Sequence, residues 1–275
     1  MNNRLINTKV AGGGGCTDIV DNYDPFGGSG VALYQLNGDA TDESGNYNGT
    51  WSGTAAYTTG VFGQAANFNS ASNTYISASG INNLSQLTAS LWVKMNDITA
   101  VNRFLGKYDN NGLREFFIYS AGGDFILSTY YNGDNGNAIT IPITVANDTW
   151  CHLVLVSDGV TRPKAYINGV QTGLSQSDTP TTNAYYTTSV PLTIGNATNP
   201  PAATSFNGSI DQVRIFNEAL TPLEVEALYT EELCICDGTV DTLDILGDGS
   251  CIATYQLDGN ANDLSGNDRD WETNT

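Results

Sequence analysis

From Val31 to Asn217 the chain alternates short apolar segments with turn residues. Segments such as "TASLWVKM" (88–95), "REFFIYS" (114–120) and "WCHLVLVS" (150–157) are rich in β-branched and aromatic residues, and Gly, Asn, Asp or Pro separates them. About a dozen segments of this kind predict an antiparallel β-sandwich or barrel. Because no helical segments alternate with them, the pattern excludes a parallel α/β sheet.

One segment near the end of the pattern has helical character. The stretch "TPLEVEALYTEE" (221–232) begins with Thr221, a good N-cap, and places Pro222 at the first helical position. Glu224 follows Thr221 at the spacing of a capping box. We therefore predict an all-β sandwich that ends in one short C-terminal helix.

The opening motif of the pattern occurs twice. The stretch "YQLNGDATDESGN" (34–46) returns as "YQLDGNANDLSGN" (255–267), with nine of thirteen positions identical. We predict an N-terminal arm or linker at 1–29, a complete domain at 30–233, and a linker with the start of a second, incomplete repeat at 234–275.

Three interpretations of the second copy stay open. The chain natively continues into a full second domain, or the short segment folds back on its own domain. In the third interpretation, Ile252–Leu257 pairs with a neighbouring subunit and builds a homo-oligomer head to tail.

The charge balance restricts the classes of partner that the protein can bind. Lys and Arg number 10 and Asp and Glu 29, which gives a formal net charge of −19. Such a surface repels phosphate backbones, so we expect no nucleic-acid partner. No apolar run approaches the roughly 18 residues of a membrane helix, so we also expect no membrane insertion.

Four stretches resemble the laminin-G-like, concanavalin-A-like jelly-roll family, as found in virion proteins of environmental phages. They are the opening "YQLNGDATDESGN", the central "LTASLWVK", the pair "DTWCHLVLVSDG" and "KAYINGV", and the closing "FNGSIDQVRIFNEALTPLEVEALY". The resemblance implies two curved antiparallel sheets, often with a calcium ion, and a role in binding or adhesion. Ligands in this family bind at edge loops or on the concave face.

The residues argue against catalysis, although some proteins of this fold are glycoside hydrolases. Retaining hydrolysis needs two carboxyl groups roughly 5–5.5 Å apart. Most glutamates lie at or in the closing helix, and Glu115 stands alone beside Arg114. A Ser-His-Asp triad would have to use His152, which lies on a strand face typical of a packed wall residue. We predict no enzymatic activity, with an Asp–Asp pair from distant strands left open.

A metal site is the best chemical candidate. Asp211 shares strand parity with Val213, and a carboxylate that faces the core is costly unless it is paired. A structural calcium ion would offset this cost. The opening motif supplies Asp39, Asp42 and Asn37 as further ligands. In the alternative, Asp211 accepts backbone N–H bonds and Asp42 makes an Asx-turn. A bulge would reverse the parity of Asp211.

Glycan binding needs exposed aromatic faces beside amide and carboxylate groups. Two tyrosine doublets and one tryptophan have such neighbours: Tyr130, Tyr131, Tyr185, Tyr186 and Trp51. In the alternative, these rings are half-buried packing residues at strand edges.

The function predicted from these observations is a non-enzymatic phage virion surface protein: a tail-fibre, head-fibre or decoration protein. We expect other virion subunits to contact residues 1–26 and 234–275, and the domain to bind a host-surface glycan. The first fifteen residues have no apolar core like that of a signal peptide, which favours a particle released by lysis. The alternatives are a secreted or cell-surface bacterial lectin or adhesin, and a glycoside hydrolase or its accessory carbohydrate-binding module.

Overall fold

The strands form two antiparallel sheets. The computed structural model describes residues 22–108, 113–130, 136–172, 175–176, 188–196 and 206–230, which all belong to the unit Ile19–Glu231. Sheet A contains β1 (Gly30–Tyr34), β3 (Tyr57–Thr59), β4 (Gln64–Phe68), β6 (Leu87–Met95), β11 (Trp150–Ser157), β12 (Lys164–Ile167), β13 (Val170–Gln171) and β16 (Gly208–Phe216). Sheet B contains β2 (Thr50–Ser52), β5 (Tyr75–Ala78), β7 (Asn102–Tyr108), β8 (Arg114–Ala121), β9 (Asp124–Tyr130), β10 (Gly136–Pro142), β14 (Ser175–Gln176) and β15 (Leu192–Ile194).

The strand order is that of a jelly-roll-like sandwich. Sheet A runs β13-β12-β11-β6-β16-β4-β3, with β1 also paired to β16, and sheet B runs β14-β10-β9-β8-β7-β15-β5-β2. In the described ranges one short α-helix, α1 (Pro222–Thr230), follows the last strand. The predicted fold class is confirmed.

The core lies between the two sheets because alternate residues of each strand face inward. Leu153 and Leu155 of β11 meet Phe116 and Ile118 of β8 in one buried cluster. Burying each such side chain stabilises the fold by roughly 1.5–3 kcal/mol. The intervening residues of the same strands are left to form the outer faces.

A bulge marks the point where β16 changes partner. Gly208–Ile210 pairs with β4, whereas Val213–Phe216 pairs with β1. Between them Gln212 has a left-handed backbone, with φ of 48°. Ile210 and Val213 both lie in the core, so Asp211 points to the outer side of sheet A. The expectation that Asp211 shares the inward parity of Val213 is wrong for this reason.

The helix covers part of the outer face of sheet A. Its capping box forms as predicted: the Thr221 N–H donates to Glu224 Oε2 over 2.7 Å, and the Glu224 N–H donates to Thr221 Oγ1 over 3.4 Å. Val225 and Leu228 are buried in a second apolar cluster with Tyr166 of β12. This cluster fixes the helix against the sheet.

The end of the predicted arm belongs to the fold. Phe26 packs on this second cluster, with its ring 5.9 Å from that of Phe216. Arg214, only 1% exposed, donates from Nη1 to the Asn22 carbonyl over 2.7 Å. Residues 22–29 therefore differ from the expectation of an arm separate from the sandwich. Residues 1–21 and the repeat at 234–275 lie outside the described residues.

Among the described residues no helix has the length and apolarity needed to cross a bilayer.

Candidate functional site

Three stacked rings occupy the outer face of sheet B. Phe116 and Ile118 of β8 face the core, so Phe117 and Tyr119 face outward. Tyr108, at the end of β7, stacks on Phe117 with centroids 4.7 Å apart, and Phe117 stacks on Tyr119 at 4.9 Å. Phe117 is buried, whereas the two end rings are half-buried and thus reach solvent.

A glycine makes room for this stack. Gly106 pairs with Phe117 across β7 and β8, and a Cβ atom on it would lie 2.5 Å from Phe117 Cδ2. Any other residue there would push the central ring away from the sheet. Gly106 thus allows the stack to lie close against the strand backbone.

Two arginines lie over these rings. The Arg103 Cζ atom is 5.8 Å from the ring centroid of Tyr108 and 5.7 Å from that of Phe117. The Arg114 Cζ atom is 5.1 Å from the centroid of Tyr108 and 5.6 Å from that of Tyr130. Each pair lies within the range of a cation–π interaction. We call these six residues the aromatic–arginine face: Arg103, Tyr108, Arg114, Phe117, Tyr119 and Tyr130.

Burial sets the protonation of this face. It lowers the pKa of Arg103, but a guanidinium keeps its charge at neutral pH. Burial also raises the pKa of Tyr119, and the neighbouring phenols of Tyr130 and Tyr108 add to the rise. Tyr119 therefore remains a hydrogen-bond donor, and the face as a whole is cationic.

A buried ion pair holds one end of β7 and β8 beside the aromatic–arginine face. Lys107 Nζ lies 2.8 Å from Glu115 Oε2, and both side chains are fully buried. The same Nζ donates to the carbonyls of Ile81 and Thr188, which fixes two flanking segments. Burial raises the pKa of Glu115 despite the nearby lysine. The lone Glu115 of the sequence is thus a structural partner of Lys107.

The predicted ligand-binding rings separate in the structure. Tyr130 belongs to the aromatic–arginine face, as its contact with Arg114 shows. Trp51 instead packs against the core, and its Nε1 donates to Tyr57 Oη over 2.8 Å. Trp51 therefore follows the alternative interpretation, in which the ring is a packing residue. Tyr131, Tyr185 and Tyr186 lie outside the described residues.

Of the predicted calcium ligands, Asp42 serves as an acceptor for its own loop. Its carboxylate is 1% exposed and accepts the N–H groups of Leu33, Ser44 and Tyr47 at 3.0–3.1 Å, as well as the Ser44 hydroxyl. Asp39 is exposed and accepts the Thr41 N–H over 2.9 Å. Asp42 therefore makes the turn contact of the alternative interpretation, and Asp39 makes a similar local contact.

Asp211 and Asn37 act together at the turn between β3 and β4. Asp211 Oδ2 accepts the N–H groups of Val61 and Phe62 at 2.7 and 3.1 Å. Asn37 Oδ1 accepts the Gln64 N–H over 2.6 Å. The two side chains thus satisfy donors that the turn leaves without strand partners.

Asp39, Asp42 and Asp211 do not form one group of metal-ligating carboxylates in the described structure. Within the described ranges, no three His, Cys, Asp or Glu side chains are grouped to hold a metal ion. The oxygens of Asp42 and Asn37 face N–H or O–H donors, which is the reverse of what a cation requires. The calcium ion itself stays a prediction from sequence.

His152 is a wall residue under the helix. Its ring lies 4.9 Å from that of Trp92 and 6.0 Å from that of Tyr229 in α1. Its Nε2 lies 2.8 Å from Ser90 Oγ, but both residues are 1% exposed. A serine nucleophile at this position has no contact with solvent.

Sequence reasoning missed five of the six residues of the aromatic–arginine face. The signal was available in "REFFIYS", where both alternating faces are apolar or aromatic. A strand with one wet face normally carries polar residues there. Outward Phe117 and Tyr119 break that rule and indicate a functional surface.

Comparisons with known proteins agree with this fold. The family model for the concanavalin A-like lectin/glucanases superfamily matches residues 68–226, more than half of the chain. A search of curated protein sequences gives no match.

Solved structures give two kinds of likeness. Domain 4 of AbnA, a GH43 extracellular arabinanase from Geobacillus stearothermophilus solved with arabinotriose, is 27% identical. That match covers 72% of this chain and 97% of that domain, with a TM-score of 0.51.

Toxin binding domains share the fold at lower identity. The binding domain of Paraclostridial Mosquitocidal Protein 1 is 18% identical with a TM-score of 0.58, and that of botulinum neurotoxin serotype G is 15% identical with a TM-score of 0.57. The matches cover 73% and 72% of this chain. They span about half of each solved binding-domain chain, 51% and 50%.

Proposed function

The chain belongs to the concanavalin A-like lectin/glucanase superfamily, and on that basis we propose that its lectin-type domain is a non-enzymatic glycan-binding module. We place the ligand on the outer face of sheet B. The observation that carries this proposal is the aromatic–arginine face itself.

The chemistry of the face suits a sugar. The half-buried rings of Tyr108 and Tyr119 end the stack and offer apolar surface to the C–H face of a pyranose or furanose. Their hydroxyls and the guanidinium groups offer hydrogen bonds to sugar oxygens. A few well-placed polar groups on an aromatic surface can also fix the orientation of a bound sugar.

Contacts of the candidate catalytic groups support a binding role rather than hydrolysis. Glu115 is held by Lys107, and His152 is packed beneath α1. Hydrolysis with retention would need two carboxyl groups roughly 5–5.5 Å apart on the sugar-binding surface. The described strands place one carboxylate, Asp124, on the outer face of sheet B and supply no pair there.

A second candidate is an accessory carbohydrate-binding module of a glycoside hydrolase. The likeness to the arabinanase domain favours it, because the match covers nearly all of that domain. In this case the glycan-binding face is the same, but the protein acts beside a catalytic domain.

We further propose that the module is displayed on a phage virion, with a secreted bacterial adhesin as the alternative. The repeated opening motif at 34–46 and 255–267 supports tandem units of this kind. Detection of the chain by mass spectrometry in purified particles would support a virion protein, and its presence only in culture medium would contradict it.

A glycan array with paired variants tests the binding proposal. We expect Tyr119→Ala to weaken binding of the best array glycan by about tenfold, since aromatic contacts contribute about 1 kcal/mol or more. Tyr23→Ala, which removes an exposed ring at 38% exposure, is the matched control and should bind like wild type. If Tyr119→Ala binds as tightly as wild type, the site lies elsewhere. If wild type binds no glycan on the array, the proposed function is contradicted.

A further inference from the structure

The outer face of sheet B differs in charge from the rest of the protein. Cross-strand pairing defines two central rows on this face, and among the described residues neither contains a carboxylate. One row holds Thr50, Ser77, Thr193, Gly106, Phe117, Ser128 and Ala138, and the other holds Arg103, Tyr119, Ile126 and Thr140. The next row, beyond Tyr119, pairs Ala121 with Asp124 and holds one carboxylate. The full chain has 29 acidic residues against 10 basic ones. With Arg103 and Arg114 against the single carboxylate of Asp124, the described part of this face is a local positive surface on a strongly negative protein.

We propose that the glycan bound at this face is acidic and that its carboxylate is held by Arg103, with Arg114 nearby. This inference rests on the proposed function and names the class of glycan.

Arg103 is prepared to bind an anion. Its Nε and Nη1 atoms are buried and have no hydrogen-bond partner among the described residues, so a carboxylate that reached them would satisfy two buried donors. The rings of Tyr108 and Phe117 hold the guanidinium in place, which reduces the entropy lost when a ligand binds. A planar guanidinium also matches the two oxygens of a carboxylate better than any neutral donor does.

Arg114 adds charge at the same ring. Both guanidinium groups lie within 6 Å of the Tyr108 centroid, at 5.8 and 5.1 Å. A carboxylate beside Tyr108 therefore feels two positive charges at short range, while a neutral sugar gains only hydrogen bonds. This stronger electrostatic attraction makes the face favour acidic glycans over neutral ones.

The total charge of the protein selects an isolated carboxylate rather than a polyanion. At physiological ionic strength, charges interact over about 8 Å before salt screens them. A densely sulfated chain would extend beyond the two arginines and come within this distance of the surrounding acidic surface. With a net charge of −19, that surface repels it. A single uronic or sialic acid on an otherwise neutral chain avoids most of this repulsion.

An array that pairs each uronic- or sialic-acid glycan with its carboxyl methyl ester tests the inference, with heparin included as a polyanion. We expect the strongest binders to carry a free carboxylate and to lose about tenfold or more in affinity on esterification, as charge-assisted hydrogen bonds predict. Heparin should bind more weakly than these glycans. Stronger binding of heparin, or equal binding of free acid and ester, would overturn the inference.

Charge variants locate the effect. Arg103→Gln should lower affinity for the free acid by about tenfold and leave that for the ester within about twofold. Arg162→Gln removes an exposed arginine at the end of sheet A and should change neither affinity, provided that both variants melt like wild type. If Arg103→Gln folds and keeps the preference for the free acid, Arg103 does not hold the carboxylate.

The outcomes separate the two proposals. Strong binding of neutral glycans that Tyr119→Ala weakens would leave the proposed function standing and reject the acidic ligand. Absence of binding to every arrayed glycan would reject both.

Discussion

At the scale of single residues, buried polar side chains hold the loops that border the strands. Asp42 accepts the N–H groups of three residues of its own loop and of β1, and Asp211 accepts two from the turn after β3. A buried donor that loses its acceptor costs about 1–3 kcal/mol. These two aspartates therefore stabilise the loop after β1 and the turn after β3.

We expect Asp42→Ala to lower the free energy of unfolding by about 2–4 kcal/mol, because several buried donors lose their acceptor together. Urea denaturation monitored by tryptophan fluorescence measures this loss. Asp39→Ala is the matched control: Asp39 lies in the same loop but is exposed, and its loss should cost under about 1 kcal/mol. Equal losses in the two variants would show that the Asp42 network is not what holds the loop.

The calcium ion predicted from sequence is tested by thermal melts with calcium and with excess chelator. A calcium site at Asp211 requires that chelation lower the melting temperature of wild type and that Asp211→Ala abolish this sensitivity. Identical wild-type curves in the two buffers would leave Asp211 with a hydrogen-bonding role alone, as its contacts with Val61 and Phe62 indicate.

At the scale of elements, the features that depend on neighbouring residues in the sequence could be predicted, and those that depend on distant strands could not. The capping box of Thr221 and Glu224 could be predicted because both partners lie within one helical turn. The bulge at Gln212 could not, because it arises where β16 exchanges β4 for β1, and those strands are distant in sequence. The error in the parity of Asp211 followed from that missing long-range contact.

The segment before β1 gives a second prediction at this scale. Phe26 packs on Phe216 and the second apolar cluster, so Phe26→Ala should lower the free energy of unfolding by about 1–3 kcal/mol. Tyr23→Ala, which truncates a more exposed ring of the same segment, should cost less than about 0.5 kcal/mol. Unchanged stability in Phe26→Ala would return residues 22–29 to the role of a separate arm.

At the scale of the whole domain, the two sheets have different tasks. Among the described elements, α1 and residues 22–29 pack against the outer face of sheet A, where His152 and Arg214 are buried. The outer face of sheet B carries half-buried aromatic and arginine side chains instead. Sheet B, against which none of the described helices packs, is therefore the sheet that we assign to ligand binding.

The site was harder to predict than the fold for a physical reason. Alternating apolar patterns report which residues can be buried, and they predicted the sandwich. They do not report which strands become neighbours, and the aromatic–arginine face combines residues from β7, β8 and β9. Tyr130 was predicted because amide and carboxylate residues lie close to it in the sequence. Arg103 joins the face only through the pairing of β7 with β8.

The location of the glycan site on the outer face of sheet B can be tested by titrating the isotopically labelled protein with the best array glycan and mapping the backbone amide shifts by NMR. We predict that the largest shifts fall on β7, β8 and β9 around Tyr108, Arg114, Phe117, Tyr119 and Tyr130. Largest shifts in sheet A or in the 37–48 loop, with β7–β9 unaffected, would contradict it.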